Sequence, residues 1–335
     1  MHIQQYGIGA ATATSPASSD EGTKVLSPKG TETSRLRSYA PPFASKRPLI
    51  LLSATTETGN NSPTADRDSG PTALNDLLMK VVIFCGGLGT RLREETEFRP
   101  KPMVPIGDRP ILWHIMKIYA HFGHTDFILC LGYKGEVIKE YFRNYHWNTS
   151  DVTLRLGPRP QIKYHNQHDE EDWSVTLLDT GQATMTGGRL KRALRFIEED
   201  TFLVTYGDGV TNSDINQSIE FHKKQKKIVT ITAVQPAARF GDLELKGDTV
   251  TAFKEKADKQ PGLINGGFFV MNRKIGEYLT DDSCVLEQQP LNRLATEGQI
   301  AAYTHGGFWQ CMDTFREQQL LTSMWNSGDA PWKLW

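Results

Sequence analysis

The run Lys80-Val81-Val82-Ile83-Phe84-Cys85 is short, apolar and β-branched, and it halts at Gly86-Gly87. The chain repeats that cadence twice: residues 126–131 stop at Gly132, and residues 201–206 stop at Gly207-Asp208-Gly209. Short apolar runs bounded by turn residues read as buried strands. Between them, Ile111, Leu112, Ile115, Met116, Ile118, Tyr119 and Phe122 recur at the spacing of one wide helical face. Residues 134–143 form a second amphipathic segment, and residues 214–224 a third that opens on Asp214, a good helix-capping residue. Residues 228–234 read as another strand. Strand and helix in succession predict an α/β fold, a mostly parallel central sheet with helices on both faces. Beyond Gln235, short strands alternate with glycine turns, as at 243–248 and 268–271. That stretch reads as an elaboration of the same domain carrying substrate contacts.

Upstream, residues 1–78 are rich in Ser, Thr, Ala, Gly and Pro, with no sustained period. Such a segment buries too little apolar surface to offset its ordering entropy, so it reads as a disordered low-complexity extension before one domain over 79–335. It has no basic start followed by an apolar stretch, as a secretory signal needs. Arg35, Arg37, Lys46 and Arg47 suit an organelle-targeting peptide, whereas Asp20, Glu21 and Glu32 count against one; translation from Met79 is the other open origin. A dispensable tail is the expectation either way. Net charge is −1, from 38 basic and 39 acidic residues, which gives no footprint for general nucleic-acid binding. No apolar run reaches the roughly 20 residues of a membrane helix. Four scattered cysteines without a CxxC pair fit neither a zinc site nor a disulfide scaffold, and imply a reducing, cytoplasmic setting.

The strongest chemical signal is Gly86-Gly87-Leu88-Gly89-Thr90-Arg91-Leu92, directly after the first strand. Glycines let backbone N–H groups approach an anion, and Arg91 adds a fixed charge. No Lys-Ser or Lys-Thr follows, so it is not a Walker loop, and Leu92 stands where a dinucleotide loop needs its third glycine. Downstream, prolines on both sides of Lys101 deny it a helix and hold the backbone extended. Such bracing suits a lysine positioned on a phosphate. Asp208, flanked by glycines just past a strand, is a candidate Mg²⁺ ligand, because Mg²⁺ favours one or two carboxylates plus phosphate oxygens.

With these residues in view, the chain from 79 to 335 resembles the sugar-phosphate nucleotidyltransferases, and within them the cytidylyl branch. The marks are GGLGTRL (86–92), PKPM (100–103), PILWHIMK (110–117), GYKG (132–135), TGGRLKR (186–192), TYGDGV (205–210), INGGFFV (264–270), GFWQ (307–310), MDT (312–314) and APWK (330–333). The resemblance implies a Rossmann-like nucleotidyltransferase domain, CTP and glucose 1-phosphate as substrates, and a homo-oligomer. It implies Mg²⁺ held by Asp208 and Asp313. Lys101 and Arg91 would serve catalysis, with Gly86, Gly87, Gly89 and Thr90 around the triphosphate. Thr186, Gly187 and Gly188 would hold the pyrimidine through backbone groups, supported by residues 179–181. Glu255, Lys256, Asn265 and Gly266 would meet the sugar phosphate.

Departures are small. Arg99 stands where the family commonly has lysine, and Cys311 where it often has proline, which would loosen the loop beside Asp313. Alternatives remain open at this point: a uridylyl- or thymidylyltransferase, a non-catalytic nucleotide-sugar sensor, or an oxidoreductase, the last disfavoured by the missing glycine. His114, His121 and His124 form no HExxH pattern and read as ordinary helix or surface residues. Trp325, Trp332 and Trp335 read as packing residues.

Overall fold

In the computed structural model, residues 78–165, 172–236, 242–254 and 262–335 are described. The expected disordered extension lies outside them, apart from Leu78. Seven strands form the central sheet: β1 (Val81–Cys85), β2 (Asp126–Leu131), β3 (Ser174–Asp179), β4 (Thr201–Tyr206), β5 (Val229–Val234), β6 (Ile264–Asn272) and β7 (Ile300–His305). Their order is β7-β5-β6-β4-β1-β2-β3. All run one way except β6, which lies antiparallel between β4 and β5.

Side chains of β1 alternate between two apolar layers, which explains why the whole strand is apolar. Val81, Ile83 and Cys85 enter one layer, Val82 and Phe84 the other, and Val82 and Ile83 have no exposed surface. Helices α1 (Ile111–His121), α2 (Gly135–Arg143), α4 (Ile215–Gln225) and α6 (Phe315–Ser327) send Ile115, Ile138, Ile219 and Leu321 into the first layer. Helices α3 (Thr186–Ala193) and α5 (Gln289–Thr296) send Leu190 and Leu294 into the second. Each such Leu or Ile contributes about 1.5–3 kcal/mol by leaving water. The expected α/β sandwich is therefore present.

Chain order matters for the site. After β1 the chain builds β2 and β3 on one side, then returns to lay β4 against the other side of β1. The carboxyl ends of β1 and β4 thus flank a topological switch point, where open α/β sheets bind ligands.

Two expectations need correction. Residues 268–271 belong to β6, inside the central sheet, and not to a peripheral elaboration. By contrast 243–248 does form a ribbon, with Asp242–Lys246 pairing Thr249–Lys254. Among the histidines, His114 is a helix residue as expected, whereas His124, just beyond that helix, is buried rather than superficial. Trp332 donates to His114 Nδ1 at 3.4 Å, so the other ring nitrogen donates to the Ile106 carbonyl at 3.0 Å. Trp332 is fully buried, in agreement with a packing role.

Candidate active site

Gly86 follows β1 and Gly207 follows β4, so the two glycine turns face each other across the switch point. Gly207 has to be glycine: a Cβ there would sit 2.8 Å from both the Phe84 carbonyl and Pro102. That close approach packs Pro102 against the strand ends and delivers its neighbour, Lys101, to the same place. A cleft of about 300 Å³ opens here, lined by Gly86, Gly87, Gly89, Lys101, Asp208, Tyr206, Arg189 and Thr184 to Thr186.

Asp313 arrives from 105 residues further along. Gly209–Thr211 and Trp309–Cys311 form a two-stranded antiparallel ladder, and the Met312 N–H donates to the Asp208 carbonyl at 2.8 Å. This ladder sets Asp313 beside Asp208. A capping box then fixes it: Glu317 accepts from the N–H groups of Asp313 and Thr314, while Thr314 accepts from the Glu317 N–H. Lys101 Nζ lies 2.7 Å from Asp208 and 2.5 Å from Asp313, and Arg91 reaches Asp313 at 3.2 Å. Burial by itself would lower the lysine's pKa, but Asp208 and Asp313 outweigh it and hold the ammonium above its ordinary range. Burial pushes the Asp313 carboxyl up, yet Lys101 and Arg91 draw it below the usual carboxylate range.

Ligand-capable atoms of Asp208, Cys311 and Asp313 lie within 4.8 Å of one another. Two carboxylates open to a cleft that also receives phosphate suit a hard divalent cation. Cys311 keeps its place in the ladder opposite Gly209, so it does not break the turn before Asp313. Burial and the flanking carboxylates push its thiol pKa up.

The other expected residues divide. Thr90 and Arg91 are exposed, with Arg91 tied to the site by its ion pair. Thr186 lines the cleft, as the first residue of a helix rather than part of a loop. Gly187 and Gly188 lie behind it, their N–H groups bonded to the Cys284 carbonyl at 2.9 and 3.3 Å and so directed away from the cleft. Asn265 is exposed, its side-chain oxygen accepting from the Gly267 N–H at 2.8 Å; Gly266 is buried and accepts from Trp309 Nε1 at 2.7 Å. Glu255 and Lys256 lie outside the described residues. Thr180 supports the wall as expected, accepting from Arg189 at 2.5 Å and donating to the Leu131 carbonyl.

Several lining residues have roles that the sequence left open, among them Arg189, which the resemblance sets at the end of the pyrimidine segment 186–189. Arg189 is buried beneath the glycine turn, donating to the carbonyls of Leu131 and Gly86 at 2.8 and 3.1 Å. A Cβ on Gly86 would overlap its guanidinium, 2.1 Å away. The Gly86 carbonyl is thereby held inward. Tyr206, Thr184 and, behind them, Glu287 were missed. Tyr206 could have been found by its place just before Gly207-Asp208; Glu287 carries no local signal.

Comparison with known proteins agrees with this geometry. The nucleotidyl transferase profile matches residues 80–310. The glucose-1-phosphate cytidylyltransferase of Salmonella typhimurium (strain LT2) is 50% identical over 258 residues, 77% of this chain and 100% of the relative. A probable glucose-1-phosphate cytidylyltransferase of Bacillus subtilis (strain 168) is 43% identical over the same length and coverage. Among solved structures, HddC from Yersinia pseudotuberculosis superposes with TM-score 0.55 at 24% identity, over 74% of this chain and 100% of that one. UDP-glucose pyrophosphorylase complexed with UDP-glucose does so with TM-score 0.54 at 15% identity, over 75% and 99%, a likeness of fold. Sharing half its residues with a relative it covers end to end, and matching the profile through both strand-end turns, the chain belongs to the nucleotidyl transferase family.

Proposed function

We propose that the chain transfers the cytidylyl group of CTP to α-D-glucose 1-phosphate, yielding CDP-glucose and pyrophosphate. The observation that carries this reading is Lys101 shared by Asp208 and Asp313 at the mouth of a glycine-lined cleft, in a chain half identical to curated cytidylyltransferases. A phosphate oxygen of the sugar phosphate attacks the α-phosphorus in line. The bond from that phosphorus to the β-phosphate bridging oxygen breaks, and pyrophosphate leaves. The attacking oxygen is already anionic near neutral pH, so no general base is required. What must be overcome is repulsion between two polyanions.

Lys101 and Arg91 supply fixed positive charge on the nucleotide side, and the glycine turn admits the triphosphate without side-chain obstruction. Asp208 and Asp313 would hold the divalent cation, which we take to be Mg²⁺ from the hardness of the donors. When bound it neutralises phosphate charge. Glu255 and Lys256 would receive the sugar phosphate, with Asn265 at its border. The reading extends to a homo-oligomer and a cytoplasmic setting; four free cysteines, three of them buried, suit a reducing one. Among the described residues no helix is long and apolar enough to cross a membrane.

Incubation with CTP, glucose 1-phosphate and Mg²⁺ should release pyrophosphate and form CDP-glucose in equal amounts by mass spectrometry. Pyrophosphate without the nucleotide-sugar would sink the assignment.

A further inference from the structure

One carboxylate behind the cleft joins its two walls. Glu287 accepts from the Thr186 hydroxyl through Oε2 at 2.6 Å and from the Tyr206 hydroxyl through Oε1 at 2.5 Å. Both residues line the cleft, yet they come from different elements: Thr186 opens α3, and Tyr206 ends β4. Since both donate to one carboxylate, their protons point away from the cleft and their oxygens are left as acceptors. The Thr186 hydroxyl is held a second time, accepting from the Leu286 N–H at 3.0 Å. The Tyr206 ring packs against Gly267, two residues from Asn265, where an added Cβ would sit 2.5 Å from it. A continuous chain Tyr206–Glu287–Thr186 therefore crosses beneath the site, with its tyrosine end against the segment of Asn265 and Gly266.

The segment bearing Glu287 is anchored in turn. Its Asp282 and Cys284 carbonyls accept from the N–H groups of Met185 and Gly187, which brace the first turn of α3. Glu287 is half-buried, and its partners among the described residues are these two hydroxyls, neither of them a cation. A carboxylate tied to two neutral hydroxyls at the back of a cleft contributes orientation more than ion-pair stability. Hydrogen bonds to a charged acceptor are the stronger kind, and here they fix the direction of both.

We propose that Glu287 is a positioning residue that acts through Thr186 and Tyr206 to hold the nucleotide wall and the sugar-phosphate wall in one geometry. It rests on the functional reading above for which substrate each wall meets. Its consequence is that one side chain, touching neither substrate, sets the affinity for both.

The test is steady-state kinetics on Glu287→Ala, on the Thr186→Ala/Tyr206→Phe double variant, and on the triple variant, with thermal unfolding of each. KM is measured for the nucleotide and the sugar phosphate that the wild-type chain turns over fastest. A base other than cytosine would thus correct the functional reading without touching this proposal. Glu287→Ala should raise both KM values about tenfold, the size expected from one lost hydrogen bond per wall. The double variant should do the same, and the triple variant should be no worse than the double. A rise confined to one substrate, no rise, or fully additive effects would overturn the proposal. Should Glu287→Ala not fold, Glu287→Gln keeps the volume and one acceptor and must raise at least one of the two KM values; unchanged values would overturn it equally.

Discussion

Lys101 Nζ lies within 2.7 Å of carboxylates from two distant parts of the chain, and only 13% of its side chain is exposed. Two acids this close would repel each other; the ammonium between them offsets that repulsion in the ligand-free site. A cation placed this way lines the same cleft as the glycine turn. Removing it deletes charge from the transition state, where a single such contact is worth about 3 kcal/mol or roughly 100-fold in rate. Lys101→Ala should accordingly lower kcat about 100-fold, measured well below the melting temperature, which falls as well because the two carboxylates then face each other without the ammonium. Near-native turnover in the pyrophosphate-release assay would remove Lys101 from the mechanism. At this scale the sequence disclosed what was locally written: glycines after a strand, a proline-braced lysine, an aspartate between glycines. Asp313 has no such local mark and entered through family resemblance, because its partner is made by a ladder that pairs residues about a hundred positions apart.

At the scale of elements, two of the three buried histidines, His114 and His124, join parts that the hydrophobic pattern leaves unspecified. His114 in α1 links the turn at Ile106 to the C-terminal Trp332, and His124 accepts from the Met79 N–H at 3.2 Å just ahead of β1. Burial lowers the pKa of each from 6.5 to about 4. The unfolded chain then binds more protons than the folded one between those values. Stability from these groups is intact above pH 6.5, is lost as pH falls toward 4, and levels off below. Each accounts for about 3 kcal/mol over that range. Urea unfolding should show a midpoint falling steeply from pH 7 to 4; a flat profile would mean that neither ring is held neutral by burial. The interior strands and α1 were legible because their apolar periods are strong. Strands β3 and β7 were not, since both lie at sheet edges and bury only part of their side chains. Strand β6 was legible as a short strand at 268–271, but not its start or its place in the sheet, because Asn265-Gly266-Gly267 resembles a turn. Helix α6 is marked in the sequence by Thr314 and Glu317, at capping-box spacing.

For the molecule as a whole, strand order determines where chemistry can occur. The return of β4 to the free side of β1 creates the crevice, and every residue of the described site sits at or beside that edge. The relatives match over 258 residues, 77% of this chain and the whole of their own length. The fold by itself does not fix the base, since it is shared with UDP-glucose pyrophosphorylase, a structure solved with UDP-glucose. Base choice therefore tests the account where physics constrains it least. The direct measurement is kcat/KM for CTP, UTP, dTTP and GTP at saturating glucose 1-phosphate and Mg²⁺. The account predicts that CTP leads the others by at least about tenfold, a margin of roughly 1.4 kcal/mol; equal or faster turnover with another nucleotide would contradict it.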